Sequence, residues 1–402
     1  MAEPAVAAYG TWPSPIAASY SVEGSVGLGF PASASFGIVW EESRPDERGR
    51  VALVASGLSG TTELLPPEMS ARTMAHEYGG RAWAVGGPGD ERLVASNWED
   101  QRLWDLTPGG APRPLTPEAA EGTSLRYANP VISPDGAWVV AVREAHEPQG
   151  VVNDLVAVSL RQGGEPRILA RGHDFYSFPA LSADGRRLAF VSWDHPNMPW
   201  DSTQLWEAPF EDGALGELRP VAGQGTDESV VQPKWSVDGE LFYISDRSGW
   251  WNLYQGSRSL APLEQEFAGP AWTFGDSDYV LLGDGRVVAT WGKGAEGHFG
   301  SLVGGSAVPQ ELPPYRSFKH VAPGPVGHDG QSVLAVAAGP RHSPAVVRIN
   351  LEGGAEVLRQ SEAREWPAEW VSVAEPFEFP TDGGVTGHGL YYAPRNPGFR
   401  PL

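Results

Sequence analysis

A seven-residue pattern, Pro-x-x-Ser-x-Asp-Gly, occurs three times, as Pro130-Val-Ile-Ser-Pro-Asp-Gly136, Pro179-Ala-Leu-Ser-Ala-Asp-Gly185 and Pro233-Lys-Trp-Ser-Val-Asp-Gly239, at steps of 49 and 54 residues. Each copy is followed by an apolar run: Trp138-Val-Val-Ala-Val142, Leu188-Ala-Phe-Val191 or Leu241-Phe-Tyr-Ile244. Asp-Gly tolerates the positive φ angles of a tight turn, so each copy reads as a β-hairpin. A third strand follows with a Leu-Trp or Leu-Tyr pair (Leu103-Trp104, Leu205-Trp206, Leu253-Tyr254), and Leu155-Val156 is a weaker version. Glycine-rich turns such as Gly163-Gly164 then lead to a fourth strand, here Arg167-Ile-Leu-Ala170. Four antiparallel strands recurring about every 50 residues are the pattern of propeller blades. Fainter copies run from Phe36 to Leu65, Tyr78 to Leu115, Trp272 to Leu312 and Val321 to Leu358. The expectation is an all-β chain forming a β-propeller of about seven blades, within a range of six to eight.

Composition agrees with many short strands. The 402 residues include 50 Gly and 37 Pro spread along the chain, and helical periodicity is confined to 260–267 and 361–366. Most of the 16 Trp residues fall in or beside strands, where large rings fill the taper between blades. With 29 basic against 50 acidic residues the net charge is −21, which repels nucleic-acid phosphates and anionic lipid. No cysteine is present, so disulfides, thiol nucleophiles and thiolate metal sites are excluded. The first basic residue is Arg44, and no apolar run reaches the roughly 18 residues of a membrane span. These features predict a cytoplasmic protein without a membrane or nucleic-acid partner. The nine His residues show no His-x-x-x-His spacing, so neither metal nor cofactor is expected.

Several longer strings carry a resemblance. His76-Glu-Tyr-Gly-Gly80, Asp174-Phe-Tyr-Ser177, Trp193-Asp-His-Pro-Asn-Met-Pro-Trp-Asp201 and Ser245-Asp-Arg-Ser-Gly-Trp-Trp-Asn-Leu-Tyr254 together resemble the propellers of acylaminoacyl-peptidase-like and dipeptidyl-peptidase-like enzymes of the prolyl oligopeptidase family. The resemblance extends from Tyr9 to Phe399. It implies a propeller capping an α/β-hydrolase domain, a short peptide substrate, and three regions: an N-terminal segment (1–30) that packs on the hydrolase, the propeller (31–370), and the start of the hydrolase domain (371–402). The alternating strands around Asp382-Gly-Gly384 match that crossing point. The nucleophile turn Gly-x-Ser-x-Gly is not in the sequence; Gly57-Leu-Ser-Gly-Thr61 and Gly304-Gly-Ser-Ala-Val308 lack its final glycine. No catalytic residue is therefore assigned, and this chain by itself is expected to be inactive.

Candidate substrate-binding residues come from two segments. Arg72, His76 and Glu77 lie between the first two blades, where Glu77 or Arg72 could meet a peptide terminus or form a salt bridge between blades or domains. Trp193, Asp194 and His195 begin a stiff, polar and aromatic stretch that reads either as a specificity loop or as a clamp between blades. Asp194 and His195 are sequence neighbours and are not assigned as a dyad. Self-association is left open by the sequence. The rival function is a non-catalytic TolB-type propeller serving protein interactions, which shares the Ser-x-Asp-Gly repeat but has no need of strands beyond its last blade. A propeller glycosidase is disfavoured because sialidase Asp-boxes separate Asp from Gly, whereas Asp135-Gly136, Asp184-Gly185 and Asp238-Gly239 are adjacent.

Overall fold

The computed structural model describes residues 3–402 except 22, 58–59, 295, 326–330, 363 and 365–366. Seven sheets follow one another along the chain, and each is built from consecutive antiparallel strands. The inner strands of blades 1 to 7 are Gly27–Ala34, Trp83–Gly86, Ser124–Ile132, Phe175–Leu181, Val230–Trp235, Tyr279–Leu281 and Ser317–Pro323. The outer strands are Gly60–Glu63, Arg113–Pro114, Arg167–Arg171, Arg219–Ala222, Arg258–Ser259, Ser306–Pro309 and Ala355–Gln360. Among the described residues, no strand is exchanged between sheets. Side chains therefore close the ring between blades 7 and 1: Ile38, Trp40 and Val54 pack on Leu334 and Val346. Buried Glu42 joins that interface, pairing with Arg44 at 3.0 Å and with Arg359 at 2.8 Å.

The repeats are hairpins between the first two strands of blades 3, 4 and 5. In each the glycine N–H donates to the serine carbonyl (Gly136 to Ser133 and Gly185 to Ser182 at 2.8 Å, Gly239 to Ser236 at 3.0 Å). The glycines have φ of 66°, 69° and 80°, a region L side chains avoid. In blades 3 and 4 the Asp side chain accepts from the Ser hydroxyl and the backbone beyond it, which locks the turn. The apolar runs are continuous because both faces of a middle strand are covered. Val139 and Ala141 face the residues of blade 2, and Val140 and Val142 those of blade 4. No helix forms over 260–267, where Leu260 and Phe267 are held by backbone bonds to Leu253 and Trp251; the segment 361–366 lies partly outside the described residues. Among the described residues, the helical content is five short 3-10 turns.

Four antiparallel strands per blade bring the start of the first and the end of the fourth to one side. The chain accordingly enters blade 1 and leaves blade 7 on the same face, where Val26 N–H donates to Ser361 O at 2.9 Å. The Ser-x-Asp-Gly hairpins lie on the opposite face. Beyond the ring, Ala374–Pro380 and Thr386–Tyr392 form a hairpin, and Ala5–Val6 pairs in parallel with Phe399–Arg400. The rings of Phe377 and Phe379 lie over cross-strand Gly389 and Gly387, whose missing side chains make room for them. Among the described residues, no helix is long and apolar enough to cross a membrane.

Candidate functional site

The inner strands bulge around residues of positive φ. Phe30, Asn129, Phe178, Gln232 and His320 each have φ near 50°, and each lies where the strand register slips against its neighbour. The bulges turn polar groups sideways, so that Asn129 Oδ1 accepts from Phe178 N at 3.0 Å and Gln232 Oε1 from Asp278 N at 2.8 Å. These bonds tie neighbouring blades around the axis.

The axis of the ring is covered on the face that carries the chain ends. The connector before blade 2 (residues 71–81) and the connector before blade 6 (residues 267–277) reach across the axis, although their blades are not neighbours. Phe274 N–H donates to Gly79 O at 2.9 Å, and the His76 ring packs on Phe274 with centroids 4.6 Å apart. The first connector makes this excursion through unusual backbone: His76, Glu77, Gly79 and Gly80 have φ of 52°, 64°, 64° and 100°. Such conformations cost of order 1–3 kcal/mol each for residues other than glycine and cluster at functional positions.

A pocket of about 390 Å³ lies on this plug, on the chain-end face. Phe175, Trp193, Trp200, Trp272 and Phe274 supply rings to its wall, and His76, Glu77, Glu144 and His195 supply polar groups. Trp193 stacks on Phe175 at 5.2 Å, and the ring edges of His76 and His195 meet Phe175. Trp272, 53% exposed, packs on Trp200 at 4.4 Å and on Tyr78 at 5.9 Å. Burial under these rings pushes the His76 imidazole down to about 4, although Glu144 favours its charge. His76 is thus a neutral packing group at pH 7.

The acidic edge is held by one arginine. Arg126 Nη1 donates to Glu77 Oε1 at 3.0 Å, Glu144 Oε1 at 2.9 Å and Met74 O at 3.0 Å. Glu144 Oε2 accepts the His76 N–H at 2.8 Å, and His146 Nε2 lies 2.7 Å from Glu144 Oε1. Glu77, Glu144 and His146 could bring three ligand atoms together, but the guanidinium already supplies their positive charge. Glu77 forms an inter-blade ion pair and still keeps its side chain 71% exposed beside the pocket.

The six sequence candidates are distributed unevenly. His76, Glu77, Trp193 and His195 line the pocket. Asp194 turns away to His173 Nδ1 at 2.7 Å and to the Asp174 N–H at 2.7 Å; these bonds hold its carboxylate below the usual range against the effect of burial. Arg72 lies outside the pocket, its guanidinium over the Trp98 ring at 4.3 Å. Sequence reasoning did not single out Phe175, Trp272 and Phe274 as pocket residues, nor Arg126 and Glu144. Trp272 and Phe274 were legible only as the start of a blade.

No protein-family model and no curated protein matches the chain. Among solved structures, a puromycin-hydrolysing peptidase from Mycobacterium tuberculosis shares 36% identity over 99% of this chain, with a TM-score of 0.89. A puromycin hydrolase shares 32% over 99%, with a TM-score of 0.87. The chain is thus similar in sequence and in fold to puromycin-hydrolysing peptidases. Prolyl endopeptidases, at 14% identity and a TM-score of 0.65 over 90% of the chain, share the fold. This chain spans 63% of the length of the two puromycin-hydrolysing proteins it matches.

Proposed function

We propose that this chain is the substrate-selecting propeller of a serine peptidase that hydrolyses short peptides or similarly small amides, with catalysis supplied by an α/β-hydrolase domain following residue 402. The observation that carries this reading is the 36% identity over 99% of the chain to a puromycin-hydrolysing peptidase. It favours a peptidase over a TolB-type interaction module. The aromatic pocket supports it as well, since it opens on the face that carries both chain ends and so toward whatever is joined there.

In this reading the rings of Phe175, Trp193, Trp200 and Trp272 receive an apolar substrate group, and Glu77 offers an exposed carboxylate to a free amine. The plug between Gly79 and Phe274 closes the axial route, so substrate enters from the side between the two domains. A lateral opening over a pocket of about 390 Å³ admits an extended peptide and excludes a folded protein. The hydrolase domain contributes the serine nucleophile, its base and the oxyanion hole. The test is turnover of puromycin, of peptides of graded length and of a folded protein by the polypeptide extended through its hydrolase domain. Cleavage of puromycin and short peptides, blocked by a serine-directed inhibitor, is expected. Turnover by residues 1–402 alone, or rapid digestion of the folded protein, overturns the proposal.

A further inference from the structure

The plug separates the aromatic pocket from a second cavity, of about 470 Å³, which occupies the axis on the other side. Its wall is made of the inner strands, and Pro134, Ser182, Ala183 and Pro323 line it toward the hairpin face. Its floor is the underside of the plug. Gly275 sits so close there that an added Cβ would lie 2.5 Å from Arg81 Cβ and 2.8 Å from Phe30 Cε1. The cavity is therefore blind, and it opens away from the chain ends.

Arg81 stands at that floor. It follows Gly80 directly, has φ of 36°, and its carbonyl accepts from Asn129 N at 2.9 Å, so its backbone is pinned. The guanidinium lies 5.5 Å from the Phe30 ring centroid and 5.2 Å from that of Trp83. Among the described residues it has no hydrogen-bond acceptor and no ion-pair partner, though it borders the cavity. The neighbouring ionisable groups are either engaged elsewhere or, like Asp276 on the cavity wall, pushed up to about 7 by burial and so weakened as a counter-charge. Glu41 Oε2 accepts from Trp83 Nε1 at 3.0 Å, and burial pushes Glu41 up to about 7, which weakens it as a counter-charge. Lys234 donates to Ser277 Oγ at 2.8 Å and to the Tyr279 carbonyl, and Gln232 Nε2 donates to Asp278 Oδ2 at 2.6 Å. His320 Nδ1 accepts the Phe30 N–H at 3.3 Å, so in the neutral ring the proton resides on Nε2.

A guanidinium cannot escape the cost of burial by losing its proton. Part-buried Arg81 borders the cavity with its donors unpaired by protein, and a planar fork near two rings fits a planar acceptor. We propose that the axial cavity is a binding site for a small monocarboxylate, held through Arg81. One charge matches one guanidinium. A phosphate dianion would bring a second negative charge for which the cavity, among the described residues, offers only Lys234, which burial pushes down to about 7 and which already donates to Ser277 and Tyr279. The site does not depend on the peptidase reading, because the plug stands between it and the aromatic pocket.

Titration of residues 1–402 with acetate, acetamide and inorganic phosphate at constant ionic strength, read by calorimetry, tests this. Saturable binding of one acetate is expected, with acetamide and phosphate at least tenfold weaker. Arg81→Met should weaken acetate at least tenfold, Arg81→Lys less, and Arg258→Met, on the exposed outer strand of blade 5, should leave it unchanged. Ala183→Phe, at an exposed position on the hairpin-face rim of the cavity, should also weaken acetate at least tenfold and serves if the Arg81 variants do not fold. Absence of saturable acetate binding, retention of wild-type affinity in Arg81→Met, or tighter binding of phosphate overturns the proposal.

Discussion

Gly80→Ala probes the plug directly. A methyl group at this position would lie 2.6 Å from Phe274 O, 2.8 Å from Phe274 N and 3.0 Å from Thr273 Cβ, on backbone with φ of 100°. The alanine can be accommodated only if the two connectors separate. Separation loses the Gly79–Phe274 hydrogen bond, worth about 1 kcal/mol, and leaves the backbone strain of about 1–3 kcal/mol. It also uncovers part of the Phe274 ring, now 3% exposed, and full exposure of such a ring costs about 1.5–3 kcal/mol. A loss of about 3 kcal/mol in urea-unfolding free energy is expected. At about 1.4 kcal/mol per factor of ten, the Phe274 amide should exchange about a hundredfold faster. Gly89→Ala is the control, because Gly89 has φ of 61° and nothing within 4 Å of the added carbon; its cost should stay at about 1–2 kcal/mol. If Gly80→Ala costs no more than Gly89→Ala and Phe274 stays as protected as in the wild type, the two connectors do not form a closed plug.

Ring closure by side chains makes Glu42 important: Glu42→Ala takes the acceptor from the buried Trp40 Nε1 and from Arg359, while Arg44 keeps Glu47 and Glu63, and should cost about 1–3 kcal/mol, measured by urea unfolding. A loss under 1 kcal/mol would show that packing alone closes the ring. His76 has a folded pKa of about 4 against an unfolded value near 6.5, so the unfolded chain binds the extra proton between those values. Its contribution is intact above about pH 6.5 and falls by about 3 kcal/mol as the pH drops to 4; His76→Gln should flatten the stability profile in that window, and an unchanged slope would refute the buried neutral ring. In the enzyme extended through its hydrolase domain, Trp272→Ala and Glu77→Gln should leave stability within about 1 kcal/mol and lower kcat/KM on the preferred short substrate by about ten- to a hundredfold. Glu147→Gln, at the exposed end of the second strand of blade 3, should not change it.

Much of the architecture was local and therefore legible. Asp-Gly selects a turn through two residues, and a middle strand covered on both faces is apolar at every position, so Ser133 to Val142 announces a hairpin and a buried strand without reference to the rest of the chain. Four such strands recurring at a nearly constant step leave side-by-side stacking as the way to bury both faces, and the faint copies at blades 1, 2, 6 and 7 follow from that period. The aromatic and polar character of the segments 76–80 and 193–201 was also readable, and it marked four residues that line the pocket. What those segments face was decided only by the ring. Closing seven blades brings Gly79 and Phe274, 195 residues apart, to a single hydrogen bond over the axis, and no local preference of either segment encodes that meeting. The same closure separates Arg72 from Glu77, turns Asp194 toward His173, and leaves Arg81 at the floor of a blind cavity, because which side chains share a space depends on how the connectors cross between blades and not on their spacing along the chain.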